Sequence, residues 1–270
     1  MTHWRAVNPA DFGRRGWVPV GDYRFAESDM VVPVGAAELS RLIAHYPLCF
    51  IKQRGHYRLR ALQSFMPGVN FFVGADGRWV VPYIPAHYRC YPFRLKDHPH
   101  RPGEKIVCVD VDYKGVVPCS GSSAVRAFFN DKGEQSPALS RVVEFLEKLD
   151  RERRLADRLV DQLAAAELME PWAIKSKSSQ KVIAGLYHIN ETALRVAQSG
   201  VLRELAETGA LALAYGQLLS QVRRRDLDRL NQNPGVADAV PVPSALPEDE
   251  ETEISFDLRW SGKSPEAIGE

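Results

Sequence analysis

Several side chains that could bind a metal ion lie close together in the sequence. They are His87, His98, His100 and Asp110. Imidazole and carboxylate groups are common ligands of zinc and iron, so this set predicts a metal site. His98 and His100 flank a proline in the loop KDHPHRPGE, and that proline restricts how they can converge. Solvent-exposed loop histidines are therefore the alternative interpretation.

Two further stretches contain reactive residue types. IVCVDVDYK (106–114) resembles the strand ending in Asp-x-Asp of haloacid dehalogenase-like phosphotransferases, where two carboxylates act around magnesium. Lys114 stands where that pattern has Thr or Val, so a buried strand with carboxylates at its solvent end is favoured. CSGSS (119–123) lacks the Gly-x-Ser-x-Gly elbow and is interpreted as a serine-rich turn that caps a helix.

Arginine and aromatic residues form a second candidate site. Strand alternation places His56, Arg58 and Arg60 on one side, opposite Tyr57 and Leu59. Arginine and aromatic side chains are enriched where proteins bind other proteins. The sequence therefore predicts a surface for a protein or peptide partner, made of Arg54, His56, Arg58, Arg78, Trp79 and Tyr83. Core packing and an ordinary solvated face are the alternative.

These residues depend on a predicted strand meander over residues 49–93. Arg54-Gly55 separates the runs 50–53 and 57–62, and GADG (74–77) separates the runs 70–73 and 78–81. Both separators suit tight turns, so two hairpins and a sheet of about four strands are expected. Residues 36–46 carry a helical apolar stripe that would pack on this sheet.

The second half of the chain is predicted to be mainly helical. A short helix is expected over residues 125–129. Ser136-Pro137 is a favourable start for a long helix that ends near residue 167. A strand over 182–189 follows, and then a helical pair over 202–207 and 210–230.

The expected fold is α+β, with an N-terminal antiparallel β-rich module packed on a C-terminal helical module. The first module spans residues 1–120 and includes one helix, and the second spans 121–232. Residues 233–270 are rich in proline and acidic residues and are expected to form a partly disordered tail. The apolar island ISFDLRW (254–260) within it would dock as a strand or bind another chain.

Composition narrows the classes of partner. The 35 basic and 34 acidic residues nearly balance, which gives no electrostatic footprint for nucleic acid. Residues 1–17 lack the apolar core of a signal peptide, and no apolar run reaches the ~18 residues of a membrane span. Four irregularly spaced cysteines suggest reduced thiols rather than a zinc ribbon. A cytoplasmic protein is expected, and the sequence does not indicate its oligomeric state.

Several ordered blocks of sequence resemble the bacterial SapC family over residues 15–230. They are YPLCFIKQ, LQSFMPGVNFFVGADGRWVVPYIPAHYRCYPFRL, DKGEQSPALSRVVEFLEKL, ELMEPWAI, GLYHINETAL and LAETGALALAYGQLLS. The family is named for a surface-layer locus and has no settled activity, catalytic residues or cofactor. The resemblance implies a non-catalytic interaction or accessory protein. The alternative is a metal-dependent enzyme acting on a peptide or small molecule through His87, His98, His100 and Asp110.

Overall fold

The computed structural model describes residues 3–119, 123–175 and 182–232. The expected tail, including the island at 254–260, lies outside these residues, as does most of the serine-rich turn at 119–123. Antiparallel sheets dominate the first half of the described chain and helices the second half. The predicted α+β fold is therefore confirmed. In the described part of the chain, no helix is long and apolar enough to cross a membrane.

The strands are short, and most helices are too. The strands are β1 (Trp4–Ala6), β2 (Arg15–Trp17), β3 (Val31–Pro33), β4 (Leu48–Gln53), β5 (His56–Leu62), β6 (Phe93–Asp97), β7 (Lys105–Asp110), β8 (Val116–Pro118), β9 (Arg126–Ala127), β10 (Met169–Pro171), β11 (Ile174–Lys175), β12 (Val182–Ile183) and β13 (Leu186–Ile189). The helices are α1 (Pro9–Phe12), α2 (Leu39–Ile43), α3 (Ala86–Arg89), α4 (Pro137–Ala165), α5 (Glu191–Val196), α6 (Ser199–Thr208), α7 (Ala210–Ser220) and α8 (Arg224–Gln232). Single 3-10 turns precede α2 and α8, at Ala36–Glu38 and Gln221–Arg223.

The largest sheet is antiparallel and has the order β10-β13-β4-β5-β3. Its centre is the predicted hairpin of β4 and β5, in which Gln53 faces His56. Arg54 and Gly55 turn the chain with φ of 51° and 88°, the left-handed values that a two-residue hairpin turn requires. Strands β10 and β13 come from the second half of the chain, so both halves build this sheet.

The second predicted hairpin is not formed as a pair of strands. Between residues 70 and 81 a single bridge joins Val73 to Trp79. The Asn70 side chain donates to the Ala26 carbonyl (3.0 Å) and accepts from the Phe72 amide (2.9 Å). Backbone hydrogen bonds flank the bridge, from Gly74 N to the Arg78 carbonyl (2.8 Å) and from Val80 N to the Phe72 carbonyl (3.0 Å). The predicted turn at 74–77 is therefore formed, but the strands on either side of it are not.

Two other local predictions are also corrected. The expected helix at 125–129 contains strand β9 instead, and β9 pairs with β2. Gly16 permits this pairing, since a Cβ there would lie 2.5 Å from the Arg126 carbonyl oxygen. The single strand expected over 182–189 is divided into β12 and β13 by Gly185, whose φ is 84°.

Helix α4 connects the two hydrophobic cores. The larger core lies between the five-stranded sheet and α2, α4, α6 and α7. The smaller core surrounds Phe12, Trp17, Phe93 and Phe128 and includes the first half of α4. The long helix begins as predicted, with Ser136 as N-cap and proline first. The division into modules at residue 120 stays a prediction, although α4 spans both cores.

Trp79 lies in the centre of the larger core. It is fully buried, and its indole Nε1 donates to the hydroxyl of Tyr46 at 2.7 Å. That hydroxyl in turn donates to the Tyr83 carbonyl at 2.5 Å. Burial raises the pKa of Tyr46 well above its ordinary value, so the hydroxyl stays protonated and remains a donor. One hydroxyl therefore satisfies two buried polar groups.

We expect Tyr46→Phe to lower the free energy of unfolding by about 1–3 kcal/mol, because it leaves the indole N–H and a carbonyl buried without partners. Urea unfolding at neutral pH measures the change. Tyr215→Phe is the matched control, since Tyr215 is 52% exposed and its hydroxyl has no such role. Equal stability of the two variants would contradict the assignment.

Candidate functional site

One concave site in the described part of the chain is an open cleft of about 250 Å³. It lies between α4, residues 17–23 and residues 82–93, with α2 and β9 at its rim. Seven aromatic residues line it: Trp17, Tyr23, Tyr83, Tyr88, Tyr91, Phe93 and Phe145. Its charged lining residues are three arginines, Arg41, Arg89 and Arg126, and the described residues that line it include no Asp or Glu. We call it the arginine–aromatic cleft.

The aromatic walls are fixed by contacts with one another and with residues outside the cleft. Tyr91 stacks on Phe25 with ring centroids 3.9 Å apart, and Trp17 meets Phe93 edge-on at 4.9 Å. The Tyr88 hydroxyl lies 2.6 Å from Gln63 Oε1 and 3.1 Å from the Asp29 carboxylate. Such contacts hold the rings in place before any ligand arrives.

Arg89 lies between two of the rings. Its guanidinium is 5.7 Å from the centroid of Tyr83 and 5.4 Å from that of Phe145. Arg41 approaches the Tyr83 ring at 5.8 Å, so two cations contact one ring. The Nε of Arg89 is buried and has no hydrogen-bond partner among the described residues. The cleft thus carries positive charge, and Arg89 keeps one donor that is closed to solvent.

Glu38 determines where Tyr83 lies. This carboxylate is only 6% exposed, and it accepts from the Tyr83 hydroxyl (2.8 Å), the Ala86 amide (2.6 Å) and the Gly35 amide (3.2 Å). Burial raises the pKa of Tyr83 above its ordinary value, and the negative Glu38 raises it further. Tyr83 therefore presents a neutral ring to the cleft while its hydroxyl is used inside the protein.

His87 lies behind the cleft between two arginines. Its Nδ1 is 2.8 Å from Arg153 Nη2, and its Nε2 is 3.4 Å from Arg94 Nη2. Burial first, and then the positive charges of Arg153, Arg94 and Arg60, lower the pKa of His87 well below its ordinary value. The imidazole is therefore neutral at physiological pH.

The structure does not gather the four predicted metal ligands. Both ring nitrogens of His87 face guanidinium groups. His98 accepts from the His100 amide and contacts Arg101, while Asp110 is buried against the Tyr91 hydroxyl at 3.0 Å. Among residues 3–119, 123–175 and 182–232, no group of three His, Cys, Asp or Glu side chains could hold a metal ion. A metal-dependent activity stays a prediction.

The six residues of the predicted binding surface do not share one face. Arg58 and His56 contact Asp157 and Asp161 of α4, at 3.4 Å in each case, because α4 packs on that side of β5. Arg54 is exposed, and Arg78 lies near Asp76, also at the surface.

Two members of the set lie elsewhere. Trp79 is in the core and so cannot be part of a surface. Tyr83 lines the arginine–aromatic cleft. A role in binding for the other four residues stays a prediction.

We expect Glu38→Gln to lower the free energy of unfolding by about 1–3 kcal/mol, because the new amide N–H₂ would face the Gly35 N–H instead of accepting from it. Chemical denaturation provides the measurement. Glu27→Gln is the control, since Glu27 is exposed. A loss no larger than that of the control would show that the three contacts do not hold this segment.

The lowered pKa of His87 predicts that the free energy of unfolding depends on pH. The unfolded chain binds a proton at this histidine below pH ~6.5 while the folded chain does not, so stability falls as pH falls, by up to about 1.4 kcal/mol per pH unit. His87→Gln should flatten this slope between pH 6.5 and 5.5, measured by urea unfolding at each pH. The control is His100→Gln in an exposed loop. An unchanged slope in His87→Gln would contradict the neutral buried imidazole.

Comparisons with known proteins give one match. The SapC family model matches residues 7–227 of the 270. No curated protein and no solved structure matches the chain. The matched region includes the sheet, α4 and every residue named in the cleft. Because the match covers well over half of its length, the chain belongs to the SapC family.

Proposed function

We propose that this SapC-family chain is a non-catalytic interaction protein. Its arginine–aromatic cleft binds an acidic group joined to an apolar body, presented by a protein or peptide partner. The observation that carries the proposal is the lining: three guanidinium groups, aromatic walls and no carboxylate among the described lining residues. A carboxylate would interact with the arginines while the apolar body covers the rings.

The energetics favour an anion at this position. Arg89 is inserted between Tyr83 and Phe145, and its buried Nε has no acceptor. That Nε is closed to solvent, so a carboxylate in the cleft would interact instead with the positive charge of the guanidinium group as a whole. Charge-assisted hydrogen bonds from arginine to carboxylate are also among the stronger polar contacts in proteins.

The titratable groups of the cleft support binding rather than catalysis. General acid–base catalysis works best with a pKa near the working pH. Burial raises the pKa of Cys90 to about 11 and raises the pKa of Tyr23 and Tyr88 above their ordinary value. These groups stay protonated at neutral pH and serve as walls and donors.

A cytoplasmic location forms part of the proposal. Cys49, Cys90 and Cys108 are free and buried, and Cys119 is free and exposed. Free thiols of this kind are typical of proteins in reducing compartments.

The matched pair N-acetyl-L-phenylalanine and N-acetyl-L-phenylalaninamide tests the cleft, since the two differ by one negative charge. For fragments of this size we expect a dissociation constant of roughly millimolar order for the acid. The neutral amide should bind at least about tenfold more weakly, because it loses a charge-assisted hydrogen bond. Titration followed by NMR or calorimetry measures both.

Variants locate the binding site. Arg41→Gln and Arg126→Gln should weaken binding of the acid and leave that of the amide nearly unchanged. Arg203→Gln is the matched control, since Arg203 is exposed on α6 and does not line the cleft. Equal binding of acid and amide, or equal effects of the Arg41 and Arg203 variants, would overturn the proposal.

A further inference from the structure

Helix α7 is apolar on two opposite faces. Its sequence, ALALAYGQLLS, contains no charged residue. One face, which includes Leu213, Ala214 and Gln217, is buried. A helix that is apolar all round is normally covered all round, yet part of this one is not.

The uncovered face forms a continuous stripe that runs into the following 3-10 turn. Tyr215, Leu219 and Val222 are 52%, 67% and 56% exposed. Their spacing of four and then three residues places them one above another on one side of a helix. We call these three residues the α7 stripe. Contiguous exposed apolar residues of this kind are typical of surfaces that bind another protein segment or a ligand.

A cluster of arginines lies at one end of the stripe. Arg223, Arg224 and Arg225 follow Val222 directly, and Arg224 and Arg225 are exposed. Arg223 is 3.4 Å from Asp226, which also contacts Arg229. Within the described part of the chain, Arg224 and Arg225 form no ion pair. An occupant of the stripe would therefore be expected to carry negative charge next to its apolar part.

The sequence after residue 232 has this composition. Residues 233–270 hold nine of the 34 acidic and two of the 35 basic residues, a formal charge of −7. Residues 1–232 therefore carry +8, and the chain's net charge of +1 conceals two opposite charges of similar size. Such opposite charges attract each other at moderate ionic strength.

The order of residues in this segment complements that on α7 when the two run in opposite directions. Five carboxylates at 248–253 come directly before ISFDLRW, in which Ile254, Phe256, Leu258 and Trp260 alternate with polar residues. In an extended chain these four side chains point to one side. With the acidic run against the arginines, the apolar side would pass over Val222, then Leu219, then Tyr215.

The connection is long enough. Fifteen residues, 233–247, separate α8 from the acidic run, and an extended chain of that length spans up to about 50 Å. Helix α8 has nine residues and is only about 14 Å long. The segment can therefore return along α8 to the arginines and the stripe.

We propose that residues 254–260 bind along the α7 stripe of their own chain, with the acidic run 248–253 against Arg223, Arg224 and Arg225. Tethering raises the effective concentration of the segment to about the millimolar range, so modest contacts suffice. The proposal is independent of the arginine–aromatic cleft, because the stripe shares no residue with it.

Disulfide trapping in the full chain tests this placement. In a Cys119→Ser background, Leu219→Cys is combined with Phe256→Cys or, in a second variant, with Leu258→Cys, which allows for a shift in register. Lys148→Cys with Phe256→Cys is the control, since Lys148 is exposed on α4. Oxidised glutathione is added, and mass spectrometry of the monomer fraction follows intramolecular disulfide formation.

At least one Leu219 pair should form the intramolecular disulfide at least about tenfold faster than the control pair. Glu250→Gln, Glu251→Gln and Glu253→Gln together, or added salt, should slow it. Equal rates for both Leu219 pairs and the control would overturn the proposal. Disulfides found only between two molecules would also overturn it, because a second copy would then cover the stripe.

Discussion

The buried carboxylate of Glu38 is the constraint on which the candidate site depends. A charge taken out of water is unfavourable unless hydrogen bonds replace its hydration. Here three neutral donors do so, from Gly35, Tyr83 and Ala86. The donors belong to segments far apart in sequence, so one side chain fixes the chain between residues 83 and 86 against the start of α2. The position of Arg89 in the cleft follows from that.

A second set of buried polar contacts joins the two halves of the chain. Gln217 of α7 accepts from the Ile189 amide and donates to the Leu48 carbonyl, both at 3.0 Å. The Ser220 hydroxyl accepts from the Leu48 amide at 2.8 Å. These contacts satisfy backbone groups at the ends of β4 and β13. They also fix which face of α7 is buried, and the α7 stripe is left on the other.

Local signals explain which elements could be predicted from the sequence. The Arg54-Gly55 turn and the Ser136-Pro137 helix start were predicted correctly because each conformation is set by a few adjacent residues. The 74–77 turn also formed, but the strands expected on either side of it did not, because the Asn70 side chain binds Ala26, which is far away in the sequence. Strand β9 likewise depends on Gly16, which no local pattern links to residue 126.

The candidate site was only partly predictable for the same reason. Tyr83 and Trp79 were both selected because they are aromatic, yet Tyr83 lines the cleft and Trp79 is buried in the core. Residue type and strand alternation do not show which side of a segment a later helix will cover. Arg41, Arg89 and Arg126 come from α2, α3 and β9. Residues that converge from three elements leave no spacing pattern, and each is an ordinary arginine when considered alone.

Some hydrogen-bond donors around the cleft have no acceptor in the described chain. A neutral imidazole has one acceptor nitrogen, yet both nitrogens of His87 face guanidinium groups, so one of these contacts sets N–H against N–H. The buried Nε atoms of Arg89 and Arg153 also have no acceptor in the described chain. Glu38 accepts its three hydrogen bonds from Gly35, Tyr83 and Ala86, and neither Nε atom is among these donors. Under the proposed function, an anionic ligand in the arginine–aromatic cleft would add negative charge beside these guanidinium groups.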